Sequence, residues 1–170
     1  MFHKAPEKSI NSVQTPRIVV LGVGNMLMKD EGIGIHVIEA LAGNPLLANI
    51  NVEILDGGTS PDILHLLGET GKLIIVDAVK GGDDPGSIYR FHAQDITVEN
   101  NYPVSLHQLS LFESLDMMDC MGDKPEETVI IGVEPKEIRA GLELSPELEQ
   151  KVPQIVKLVL DEIMEETTKC

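Results

Sequence analysis

Three stretches of the chain are apolar almost without interruption, and the rest is arranged around them. RIVVLGVGN from Arg17, KLIIVDA over 72–78 and TVIIGV over 128–133 read as strands buried on both faces, because no polar side alternates with the apolar one. Two further segments do alternate. NVEILD over 51–56 and SIYRFH over 87–92 have the period of two expected of strands with one wetter face. Between these lie runs with helical spacing. In 32–42, Ile35, Ile38 and Leu41 with Ala42 fall on one face, and the acidic Asp30 and Glu31 just ahead suit a helix N-terminus. Leu106, Leu109, Phe112 and Leu115 recur in the same way over 106–118. A last helix, SPELEQKVPQIVKLVLDEIMEE, is expected to be capped by Ser145, with Pro153 either bending it or marking its true beginning. A short helix over 61–67 is expected too, opened by Thr59 or Ser60 and Pro61, while DGGT and KGGDDPG read as turn and loop. Strands alternating with helices predict a mainly parallel sheet with helices on both faces, a three-layer α/β/α architecture.

Composition narrows the class. A chain of 170 residues suits one domain, here expected over 16–170, with residues 1–15 as a frayed N-terminal arm without a motif. Thirteen basic against 28 acidic residues leave a net charge of −15, which repels phosphate backbones and anionic lipid. Neither nucleic acid nor a membrane is therefore expected as a partner. Two cysteines, Cys120 and Cys170, are too few for a disulfide framework, and no apolar run has signal-peptide or membrane-span length, so a cytoplasmic location is expected.

In a sheet of this kind, reactive groups come from loops at the carboxyl ends of strands, above all where successive crossovers leave on opposite faces. The loop after the first strand carries Asn25, Asp30 and Glu31, the 72–78 strand ends in Asp77, and the third helix opens with Ser105 and His107. Two carboxylates and an imidazole are a reasonable facial set for a divalent ion of the zinc or nickel kind, with positions left open for a substrate. Taken singly, each has a plainer explanation. An acid ahead of a helix often caps it, an aspartate ending a strand often binds loop amides, and a lone histidine on a helix edge is usually structural. Gly22 and Gly24 suggest a dinucleotide fingerprint, but its third glycine is replaced by Leu27, so the two more simply permit a close backbone approach. Asp56, Gly57, Gly58 and Thr59 are either a bare turn or part of the wall of the same cleft. There is no HExxH, Ser105 lacks the GxSxG elbow, and acidic neighbours disfavour a thiolate at Cys120.

Taken in order, LGVGNMLMKDEGIG, EILDGGTSPDIL, IIVDAVKGGDDPGSIYRF, SLHQLSL and IIGVEP resemble the [NiFe]-hydrogenase maturation endopeptidases, over roughly 17–162. The resemblance implies a five-stranded mixed sheet in order 2-1-3-5-4 with the fourth strand antiparallel. It implies an endopeptidase that removes a C-terminal extension from the large-subunit precursor of a [NiFe] hydrogenase once nickel has been inserted. Carried onto this sequence, the nickel ligands are Glu31, Asp77 and His107, the same trio that the rim argument selects, and these residues are also expected to carry catalysis. Asn25, Asp56, Gly57, Gly58 and Thr59 are expected to line the substrate cleft. Nickel would arrive with the substrate, and a divalent ion could occupy the same site in the isolated protein. The reading from another class is a non-catalytic module that binds a metal-loaded or nucleotide-bearing partner and cuts nothing.

Overall fold

The computed structural model describes residues 17–59, 64, 67–95 and 106–169, with the side chains of 106–110 not described. The expected arm over 1–15 and most of the expected 61–67 helix therefore lie outside the described residues.

Five strands, β1 (Ile18–Val23), β2 (Val52–Gly58), β3 (Lys72–Ala78), β4 (Ile88–His92) and β5 (Glu127–Val133), form one sheet in the order β2-β1-β3-β5-β4. All neighbours are parallel except β4, which runs antiparallel to β5 with Ile88 opposite Val133 and His92 opposite Val129. Order and direction are those implied by the resemblance. Every residue of β1 is buried, as is β3 up to Asp77, whereas the edge strands β2 and β4 are only half-buried. The continuous apolar runs thus occupy the centre of the sheet, where both faces are covered.

Successive side chains along the central strands point to opposite faces, and each face has its own core. On one face Ile18, Val20, Ile74, Val76, Val129 and Ile131 pack against helix α1 (Ile33–Leu41) and helix α4 (Val152–Thr168). On the other, Val19, Leu21, Leu73, Ile75 and Ile130 meet Leu64, Leu67 and helix α2 (Leu106–Met121) through Leu111, Leu115 and Met118. Each such fully buried aliphatic side chain contributes about 1.5–3 kcal/mol relative to exposure. Helix α1 lies very close to the sheet because residue 34 is glycine: a Cβ there would come within 2.2 Å of the Val76 carbonyl oxygen and 2.3 Å of that of Val23.

Three expectations need correction. DGGT is not a simple turn: β2 continues through Gly58, and the register jumps from Gly22 opposite Asp56 to Val23 opposite Gly58, so Gly57 is the extra residue of a bulge. The final helix is broken in two, with a short helix α3 (Pro146–Glu149) ahead of α4. Pro153 sits in the first turn of α4, where its missing N–H costs nothing, and so marks a beginning rather than a bend. Ser145 precedes α3 as expected, but its hydroxyl does not cap the helix. Among the described residues no helix is long and apolar enough to cross a membrane.

Candidate active site at the β1–β3 crevice

Leaving β1, the chain crosses through α1 on one face of the sheet towards β2. Leaving β3, it passes through β4 and α2 on the other face before entering β5. The carboxyl ends of β1 and β3 therefore border a topological switch point, the place where such sheets open a crevice.

Asp77 stands at the end of β3 in that crevice. It is 4% exposed, and its Oδ1 accepts a hydrogen bond from the Ala78 amide at 2.8 Å. Burial is the main influence on its acidity. Desolvation, opposed by the Ala78 amide and aided by the negative charge of Glu31, pushes its carboxyl up to about 7. The same coupling places Glu31 as an electrostatic neighbour of Asp77.

Glu31 is held by its backbone. It lies in a 3-10 turn, Lys29–Gly32, that runs into α1; its amide donates to the Met28 carbonyl at 3.2 Å, and its own carbonyl accepts from the Asn25 amide at 3.3 Å. Gly24, at φ +145°, makes this approach possible, since a Cβ there would fall 2.0 Å from the Glu31 carbonyl oxygen. Asn25 shapes the same loop, its Oδ1 accepting from the Leu27 amide at 2.9 Å. The β2 rim closes against it: the Gly24 amide donates to the Gly58 carbonyl at 2.8 Å, and Asp56 Oδ1 accepts from the Gly58 amide at 2.8 Å. Of the expected cleft residues, these bonds bring Asn25, Asp56 and Gly58 together near the Glu31 turn, with Gly57 in the bulge between Asp56 and Gly58, while Asp56 and Thr59 are exposed. As a pair, adjacent Asp30 and Glu31 divide their roles. Asp30 is fully buried and turned away into the 136–145 segment, which leaves Glu31 as the acid coupled to Asp77.

His107 lies in the first turn of α2, and its side chain is outside the described residues. Asp123, just past the end of α2, donates to the Met118 carbonyl, and Glu126 donates to Thr70, which stands at the amino edge beside the start of β3. These contacts anchor the C-terminal end of α2 at the amino edge of the sheet. Among the described residues no three His, Cys, Asp or Glu side chains gather as a metal centre; of the expected trio, the described side chains are Glu31 and Asp77.

One structural carboxylate of this rim was not anticipated from sequence. Glu134, immediately after β5, accepts through Oε2 from the amides of Gly81 at 2.6 Å and Gly82 at 3.0 Å and from the Tyr89 hydroxyl at 2.8 Å, and so ties down the loop that follows Asp77. Its signal in the sequence is an acid placed directly after the last buried strand, in IIGVEP. A separate cavity of about 340 Å³, lined by Phe112, Leu115, Asp116, Lys124, Glu126 and Thr128, opens at the amino end of β5 and takes no part in the crevice.

Comparison with known proteins gives this geometry a context. The family model described as hydrogenase maturation protease matches residues 35–162, a stretch that contains Asp77 and His107 and begins four residues after Glu31. The hydrogenase 2 maturation protease of Escherichia coli K12 is 34% identical over 153 residues, covering 88% of this chain and 92% of its own. A hydrogenase expression/formation protein, HupD, of Thiocapsa roseopersicina is 33% identical over 151 residues, covering 86% of this chain and 67% of its own. Among solved structures, the hydrogenase maturating endopeptidase HybD of E. coli superimposes with a TM-score of 0.79 at 33% identity, over 88% of this chain and 93% of that one. The [NiFe] hydrogenase maturation protease HybD of Thermococcus kodakarensis gives 0.72 at 26% identity, over 86% and 99%.

Proposed function

Since the chain belongs to the hydrogenase maturation protease family, and is thereby an endopeptidase, we propose that it removes the C-terminal extension of a [NiFe]-hydrogenase large-subunit precursor after nickel insertion. The observation that carries the proposal is Asp77, a carboxyl buried at the crevice beside Glu31 and pushed up to about 7. A fold seldom keeps two coupled acids at a rim without a use for them. Such a pair gains most from a cation, which offsets both the lost hydration of Asp77 and its repulsion by Glu31. None of the relatives named above supports the non-catalytic reading.

In this reading nickel is the substrate's cargo. Held by the precursor, it completes its shell with Glu31, Asp77 and His107 and so draws the scissile segment into the crevice. A divalent ion at this point supplies Lewis acidity to a carbonyl and acidity to a water. The residues of the chain do the rest. Asp77, once deprotonated, or Glu31 accepts a proton from the attacking water, and the Asn25 loop and the Asp56–Thr59 rim line the path of the peptide. Selectivity follows from the donor set, because a precursor without nickel offers these three side chains nothing to bind. The cytoplasm, where a chain with only two cysteines suits the reducing conditions, is the proposed place of action.

The test uses Glu31→Gln, Asp77→Asn and His107→Ala with nickel-loaded precursor. Each variant is expected to remain folded and to lose cleavage by at least about a hundredfold, since each removes one donor of the set. Three folded variants that cut at near-normal rates would overturn the site and with it the metal-dependent recognition.

A further inference from the structure

Asp30 is fully buried, yet among the described residues no cation pairs with it. Its Oδ1 accepts from the Ser145 amide at 2.7 Å, and its Oδ2 accepts from the amides of Lys136 at 2.9 Å and Glu137 at 3.0 Å and from the Ser145 hydroxyl at 2.8 Å. The nearby ammonium groups are engaged elsewhere, Lys29 with Glu137 and Lys136 with Glu147. Four directional donors therefore grip one side chain that precedes Glu31 by a single residue.

The grip is reinforced around it. The Lys29 amide donates to the Gly141 carbonyl and the Gly141 amide to the Leu27 carbonyl, both at 2.9 Å, so the 136–145 segment pairs with the backbone on either side of Met28. Lys29 is held at φ +47°, and among the described residues it is the one non-glycine with positive φ. Such strain persists only where the surroundings over-determine it, and it clusters at functional sites. The Ser145 hydroxyl, which would ordinarily cap α3, is given to Asp30 instead.

We propose that Asp30 is a positioning residue: its carboxylate bolts the 136–145 segment to the turn that carries Glu31, and so fixes Glu31 beside Asp77. The proposal rests on the reading of Glu31 as a nickel ligand. Asparagine in place of Asp30 keeps the shape but turns one acceptor into a donor that faces an amide donor, which loosens the turn without emptying the core.

The experiment is a double-substitution cycle of Asp30→Asn and Glu31→Gln in the full chain. It is read both on Ni²⁺ affinity of the isolated protein by calorimetry and on kcat/KM for nickel-loaded precursor. Where free Ni²⁺ binds the unmodified protein too weakly to measure, the Kd for nickel-loaded precursor takes its place. Asp30→Asn alone is expected to weaken affinity and turnover ten- to a hundredfold, as loss of a partner that orients a metal ligand does, and to add less than about twofold once Glu31 is already Gln. An unchanged single variant, or an equal loss in both backgrounds, would overturn the positioning role. Should Asp30→Asn fail to fold, Ser145→Ala removes one of the four bonds; a loss of at least about threefold then supports the role, and none overturns it. A Glu31→Gln protein with unmodified affinity and turnover would instead refute Glu31 as a ligand, whatever Asp30 does.

Discussion

The acidity of Asp77 ties the crevice to the stability of the whole fold. Its carboxyl has an ordinary value of 3.8 and is pushed up to about 7, chiefly by burial. Below about pH 4 the group is protonated in folded and unfolded chains alike, and it has no effect on their balance. As pH rises from there to about 7, the unfolded chain gives up the proton before the folded one, so the native state loses stability, and above 7 the full penalty remains. Asp77→Asn removes the titration. In metal-free protein the variant should match the unmodified chain near pH 4 in denaturant titrations and exceed it by about 1 kcal/mol or more at pH 8, while cleavage is lost. A variant less stable than the parent at pH 8 would mean that the Asp77 carboxylate serves the fold rather than the reaction.

At the scale of elements, β3 joins two charged sites of opposite purpose. At its carboxyl end is Asp77; at its amino end is Lys72, fully buried, with Nζ 2.8 Å from Glu162 Oε2 on α4 and 3.5 Å from Glu127 Oε2 on β5. Arg90 on β4 binds the other oxygen of Glu162, so three strands and a helix meet at one ionic cluster. Lys72→Met leaves Glu162 with Arg90 alone; it should cost about 3 kcal/mol in unfolding free energy and leave kcat/KM unchanged. A loss of turnover in the folded variant would show that the two ends are coupled. The apolar runs made the three central strands legible in the sequence, but not this cluster, because Lys72 and Glu162 are 90 positions apart and nothing local in KLIIVDA signals a buried lysine. Local chemistry also misled at DGG, where two glycines that permit a turn instead carry a bulge paired to β1, and at Ser145, whose hydroxyl had a better partner in Asp30 than in its own helix.

For the whole molecule, periodicity alone yields layers, while strand order comes through the family resemblance, since hydrophobic spacing says nothing of which buried strand neighbours which. The rim residues were legible because a parallel sheet gathers the carboxyl ends of its strands at one edge, however far apart they lie in sequence. Glu134 and the division of work between Asp30 and Glu31 were not, because both depend on contacts made by the 134–145 segment across 45 residues or more. The central claim concerns the substrate: a peptide bond is cut at the end of a precursor that already carries nickel. The most direct measurement is intact-mass spectrometry of the large-subunit precursor, with and without nickel, after incubation with this protein. The account predicts loss of a single C-terminal peptide from the nickel-loaded form and an unchanged mass for the nickel-free form. Equal cleavage of both forms, or a stable complex with loaded precursor whose mass never falls, would contradict it.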